Sequence, residues 1–138
     1  MKKKIAHIVS TTHWDREWYW PQEKFRIRLV DLIDNLIDIF KSKSEYKYYI
    51  LDGQVIALDD YLEIKRENQP IIESLIRNGK LWIGPWYVLP DVFLVSGESI
   101  IRNLLIGFNR SKQYGNVMKV GYLPDSFSHI DQIPQIMN

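Results

Sequence analysis

Ile5-Ala-His-Ile-Val9, then Thr12-His-Trp-Asp-Arg-Glu-Trp-Tyr-Trp-Pro21, then the span from Phe25 to Phe40 open the chain, and their succession decides the fold class. The first is a short apolar run and predicts a strand over residues 4–10. The last repeats Phe25, Leu29, Leu32, Leu36, Ile37 and Phe40 at helical spacing, which predicts a helix over residues 22–41. Pro21 suits the start of that helix, because its ring fixes a helical φ where no N–H is needed. Asp31, Asp34 and Asp38 fall off the apolar stripe and are expected to form a solvated face. Between strand and helix lies a loop that holds an imidazole, a carboxylate and four aromatic rings.

The same alternation continues downstream. Tyr46–Leu51 reads as a second strand and residues 55–66 as a helix. A further helix follows Pro70 and stops at Gly79, a residue suited to a left-handed C-cap. Residues 80–83 read as a third strand. Ser96 is a fitting N-cap for a helix that carries Ile100, Ile101, Leu104, Leu105 and Phe108 and ends at Gly115. Residues 120–123 read as a fourth strand, and a last helix begins near Asp131. Strands alternating with helices predict an α/β fold whose core is a parallel sheet of β/α units. In such folds chemistry gathers where strands end. The segments that follow the four strands are His13–Asp15, Asp52-Gly-Gln54, Gly84-Pro-Trp86 and Pro124–His129, all expected on one face. Four units are too few for a closed β/α barrel, which takes roughly 200 residues or more. The expectation is therefore the first part of a barrel, with residues 1–138 an N-terminal fragment of a larger domain.

The composition narrows the function. Eighteen basic and seventeen acidic residues leave a net charge of +1, which offers no electrostatic footprint for nucleic acid. There is no cysteine, so a metal site has to use His, Asp or Glu, and thiol chemistry is excluded. No apolar run approaches the length of a membrane span. The opening Met1-Lys-Lys-Lys4 imitates a signal peptide, but the apolar run behind it is short and meets charged residues at once, so a cytoplasmic location is expected.

His13 and Asp15 are two residues apart in an extended segment, and their side chains share one side. Both are good ligands for a borderline ion such as zinc. His-x-Asp is a weak motif, and the pattern by itself fits a hydrogen-bonded His–Asp pair in a polar loop better than a metal site. Asp125 in Tyr122-Leu-Pro-Asp-Ser-Phe-Ser-His129 could complete a ligand set, act as a nucleophile, or cap the next helix. His129 fits a supporting role rather than a ligand. Trp14, Trp18, Tyr19 and Trp20 are crowded enough that at least one is expected to line a cleft. Asp52-Gly53 reads as a turn, Trp82, Trp86, Tyr87 and Phe93 as packing beneath a cleft or lining it, and Asp91 as a loop carboxylate that could also approach a substrate.

Five ordered segments carry a resemblance: His13-Trp-Asp-Arg-Glu-Trp-Tyr-Trp20, Leu51-Asp-Gly-Gln54, Gly79-Lys-Leu-Trp-Ile-Gly-Pro-Trp86, Ser99-Ile-Ile-Arg-Asn103 and Gly121-Tyr-Leu-Pro-Asp-Ser-Phe127. In this order they resemble the start of the catalytic domain of the glycoside hydrolase family 38 α-mannosidases, above all the bacterial branch that includes mannosylglycerate hydrolases. The resemblance implies a β/α barrel domain with Zn(2+) in its site. It implies that His13, Asp15 and Asp125 are zinc ligands and that Asp125 is also the nucleophile. Trp18 would form a floor under the mannose ring, and Phe127 would line the same subsite. Ser128 stands where many relatives carry glycine, a local departure in the loop. A further histidine ligand and the general acid would lie downstream of Asn138, so residues 1–138 alone are expected to be inactive. The implied partner is an α-mannoside substrate, with self-association into a homo-oligomer. Two other functions suit the same residues: a metal-dependent carbohydrate deacetylase, and a non-catalytic sugar-binding or interaction domain.

Overall fold

The computed structural model describes residues 3–138. Met1 and Lys2, half of the basic opening, lie outside the described residues. Three short strands, β1 (Thr11–Thr12), β2 (Tyr49–Leu51) and β3 (Leu81–Trp82), form a parallel sheet in sequential order. The helices are α1 (Gln22–Ser42), α2 (Ile56–Ile64), α3 (Gln69–Arg77), α4 (Gly97–Tyr114) and α5 (Ile133–Met137), with a single 3-10 turn at Arg66–Asn68 before α3.

The stripe on α1 buries Phe25, Leu29, Ile33, Leu36, Ile37 and Phe40. Ile33 takes the deep position and Leu32 only flanks the core. All of the buried α1 side chains but Phe25 meet Leu51, Val55, Leu58, Tyr61, Ile72, Ile76, Leu81 and Ile83 from the sheet, α2 and α3 in one apolar cluster. A second, smaller cluster surrounds Trp86, Val92 and Ile100, with Leu123 and the apolar residues of α5 against it. The acidic face of α1 needs a correction. Asp31 and Asp38 are exposed, but Asp34 accepts a 2.6 Å hydrogen bond from the Tyr61 hydroxyl and lies 3.4 Å from Lys65 Nζ. Burial, followed by the bond to Asp34, raises the Tyr61 pKa well above its ordinary value.

All four expected strands are shorter, displaced or missing. Of 46–51 and 80–83 only Tyr49–Leu51 and Leu81–Trp82 pair, and residues 4–10 form no strand, β1 being Thr11–Thr12 just beyond them. Carrying the Thr11–Ile50 register backward sets residues 4–8 beside 43–47, where the chain is still leaving α1. An extended segment with no neighbour forms no ladder, and Ile5 and Ile8 stay 77% and 84% exposed. The fourth strand, over 120–123, forms no ladder either. Met118 N–H donates to the Ile83 carbonyl at 2.8 Å. The next residue of β3's continuation that faces the same way is Pro85, which has no N–H to offer. Residues 120–123 therefore run alongside with one side-chain tie, Trp86 Nε1–H to the Tyr122 carbonyl at 2.8 Å.

α4 is capped as expected: Ser96 Oγ accepts from Ser99 N–H at 3.2 Å, and Gly115 closes the helix at φ 138°. Its backbone comes close to the loop after β3. A Cβ at Gly107 would stand 2.2 Å from the Pro85 carbonyl oxygen and 2.3 Å from Tyr87 N. Asn103, one helical turn earlier, binds the same loop. Its Oδ1 accepts from Tyr87 N–H at 2.8 Å and Val88 N–H at 3.1 Å, and its Nδ2 donates to the Val88 carbonyl at 2.6 Å.

Candidate active site

The loop after β1 carries His13 to the ends of the other strands. Its Nε2 lies 3.6 Å from Asp15 Oδ1 and 3.5 Å from Asp125 Oδ2. Its Nδ1 lies 3.4 Å from Asp52 Oδ1. One imidazole thus touches carboxylates from three separate loops. His13 and Asp15 are about 40% exposed, and Asp125 is 63% exposed. The group opens into a cleft of about 200 Å³ whose walls include Leu89, Asp91, Leu123 and Phe127.

Asp52 differs from the other two carboxylates, because it has no exposed surface. It sits in a left-handed turn, φ 49° at Asp52 and 63° at Gly53. A Cβ on Gly53 would stand 2.4 Å from the Tyr122 ring, so only glycine fits there. Asp52 Oδ2 accepts from Trp14 N–H at 2.6 Å and from Gln54 Nε2 at 2.9 Å. Burial raises the Asp52 carboxyl above its ordinary range, and the Trp14 N–H, His13 and Gln54 pull it back down. Gln54 joins three segments, since its Nε2 also donates to the Trp14 carbonyl at 2.8 Å and its Oε1 accepts from Leu89 N–H at 3.2 Å. Arg16 fixes the other side of the loop, with Nε 2.7 Å and Nη2 2.9 Å from the two oxygens of buried Asp60 on α2.

The aromatic residues divide. Trp14 packs edge-on against Phe25 at the rim of the core, and it also borders a neighbouring cavity with Gln54 and Leu89. Trp20 holds the Arg28 guanidinium 4.0 Å from its ring centroid. Trp18 is 74% exposed and meets Tyr19 edge-on, and it does not line the cleft around His13. Phe127 does line it and is 87% exposed. Trp86 is wholly buried, whereas Trp82 and Phe93 are 37% and 61% exposed. His129 is exposed.

Three residues at the site were named in the sequence but assigned no particular role. The Asp-Gly pair at 52–53 is a turn, as expected, but Asp52 also holds His13. Gln54 joins the loops, and Asp91 shares the cleft. The sequence signal for Asp52 was its place at a strand end, level with His13, yet Asp-Gly has the same spelling in an ordinary turn.

The donor set suits zinc: one imidazole nitrogen and two carboxylates, with no thiolate. Two ligands of a tetrahedral zinc at 2.0–2.1 Å stand about 3.4 Å apart, and the two separations from His13 Nε2 are close to that. Among the described residues no group of three or more His, Asp or Glu is placed so that it could hold a metal ion by itself; Asp15 and Asp125 each approach His13 Nε2.

Residues 3–138 match the model of the glycosyl hydrolases family 38 N-terminal domain. The chain belongs to this family. It is 43% identical over 136 residues to a protein of Halalkalibacterium halodurans provisionally named a mannosylglycerate hydrolase, covering 98% of the chain and 15% of that protein. It is 27% identical over 131 residues to an α-mannosidase of Saccharomyces cerevisiae, covering 93% of the chain and 12% of that protein. Its fold superposes on the crystal structure of an α-mannosidase from Enterococcus faecalis with a TM-score of 0.91 and 46% identity, covering 94% of the chain and 15% of that structure. The chain therefore spans about a seventh of the length of such relatives. No helix among the described residues is long and apolar enough to cross a membrane.

Proposed function

We propose that the chain supplies the nucleophile half of the active site of a zinc-dependent retaining glycosidase that hydrolyses α-mannosides. The observation that carries this reading is His13 Nε2 placed 3.6 Å from Asp15 and 3.5 Å from Asp125, in a chain of family 38. His13, Asp15 and Asp125 would hold the ion. When bound, zinc with an open position supplies a Lewis acid that grips sugar hydroxyls and favours a distorted ring.

Asp125 attacks the anomeric carbon through its second oxygen, the glycosidic bond breaks, and the mannosyl group passes to the carboxylate. The leaving oxygen takes a proton from a carboxylic acid about 5 Å away, as retention requires. That acid is proposed to lie outside residues 1–138, within a barrel whose first strands are β1, β2 and β3. Trp18 and Phe127 would face the sugar. Phe127 on the cleft wall supports an apolar contact for a ring. The provisional name of the Halalkalibacterium relative favours mannosylglycerate as substrate, and the proposal extends to a phosphorylated form of it. The same reading includes a cytoplasmic location and a homo-oligomer. The half-exposed apolar face of α4 at Ile101, Leu105 and Ile106 supports self-association.

The test is turnover by the full-length protein. It should release mannose from an aryl α-mannoside with retained configuration by NMR, lose turnover to a chelator and regain it with zinc. Acetate release from an N-acetylated sugar, with no mannose produced, would replace this reading by a deacetylase. Sugar binding without turnover of any α-mannoside would make it a binding domain.

A further inference from the structure

We infer that Asp52 is a positioning residue, which holds His13 as the Nδ1–H tautomer and points the Nε2 lone pair between Asp15 and Asp125. The inference rests on the metal reading above and assigns a role to a residue outside the ligand set.

Trp14 N–H and Gln54 Nε2 both point at Asp52 Oδ2, which leaves Oδ1 to His13 Nδ1 at 3.4 Å. With Asp52 as carboxylate, Oδ1 only accepts, and Nδ1 then carries the hydrogen. The other ring nitrogen then keeps its lone pair and faces the two outer carboxylates. Asp52 cannot turn away. Its Oδ2 is held by Trp14 N–H and Gln54 Nε2, its backbone is fixed in the left-handed turn, and Gln54 is itself tied to Trp14 and Leu89. A buried carboxylate locked on three sides serves packing poorly but orients an imidazole well, and a partner on the far nitrogen is the usual support of a metal-bound histidine.

Asp52→Asn separates orientation from packing. The two N–H donors at Oδ2 select the amide oxygen for that side, so the amide NH₂ faces His13 Nδ1. It donates there, which forces the hydrogen onto Nε2 and removes the lone pair a metal needs. Asp52→Ala deletes the acceptor but imposes no tautomer, and it abandons Trp14 N–H and Gln54 as well. A packing role makes Ala the worse substitution. The orienting role makes Asn at least as damaging as Ala, although Asn keeps the Trp14 and Gln54 bonds.

Zinc affinity is measured on the full-length protein by competition with a fluorescent chelator. In parallel, ¹⁵N NMR reads the His13 ring in metal-free protein at a pH where the imidazole is neutral. Asp52→Asn is expected to bind zinc about 10–100-fold more weakly than wild type, no better than Asp52→Ala, with the His13 hydrogen moved from Nδ1 to Nε2. Wild-type affinity in Asp52→Asn, or an Ala variant clearly weaker than the Asn variant, overturns the inference and leaves the metal reading standing. No zinc binding by wild type overturns both. If Asp52→Asn does not fold, the wild-type spectrum decides alone: a hydrogen on Nδ1 supports the role, and one on Nε2 rejects it.

Discussion

Asp125 has two duties in the proposed reaction, as nucleophile and as metal ligand, so its loss should be the most damaging single change at the site. Asp125→Ala in the full-length protein is expected to lower kcat on an aryl α-mannoside by about 10⁴-fold or more. A tenth of wild-type turnover would move the nucleophile elsewhere. Trp18 gives a cleaner contrast, because it is 74% exposed. Trp18→Ala should change the unfolding midpoint by the equivalent of less than about 0.5 kcal/mol while raising KM and lowering kcat. Unchanged kinetics would leave Trp18 with no part in sugar binding. Arg16→Ala should do the reverse of Trp18→Ala in stability. It strands Asp60, which is 7% exposed, and a buried carboxylate without its partner costs about 2–3 kcal/mol, measurable by urea unfolding. His13, Asp15 and Asp125 were legible as chemistry-bearing types at strand ends, and Phe127 only through the family resemblance. Asp52, Gln54 and Asp34 were not, because their partners are 27 to 40 residues away in sequence and no local pattern encodes such a pairing.

At the scale of elements, helices were more legible than strands, for a physical reason. A helix satisfies its own backbone, so the stripe on α1, the Ser96 cap and the Gly115 stop are local features. A strand depends on what lies beside it. Residues 4–10 carry a strand's composition, but their register partners are a turn, and residues 120–123 meet a proline where the ladder should continue. The loop after β3 is held by α4 in a way composition cannot announce, through Asn103 and through the missing side chain of Gly107. Gly107→Ala is therefore expected to destabilise the fold by about 2–3 kcal/mol through overpacking. In an open helix the same change would stabilise by about 1 kcal/mol. Thermal unfolding decides, and a Tm at or above wild type would mean that α4 and the loop part easily.

At the scale of the molecule, a three-stranded parallel sheet in sequential order places the ends of β1 and β2 and the Asp125 loop around a single imidazole, in a chain of family 38. Parallel sheets normally have both faces covered, and here a groove of about 820 Å³ lies open along α4 and α5, walled by Ile101, Leu104, Leu105 and Phe108. Residues 1–138 expressed alone should self-associate in light scattering and show no turnover of an aryl α-mannoside. A monodisperse, active monomer would make the chain a complete small enzyme. The account depends most on a mannosyl group passing to Asp125. The direct measurement is to treat the full-length protein with an activated 2-deoxy-2-fluoro mannosyl donor, which slows breakdown of the covalent intermediate, and to map the modified peptide by mass spectrometry. The predicted result is one mannosyl adduct on Asp125. An adduct on another carboxylate, or none from a protein that hydrolyses the donor with inversion, would contradict it.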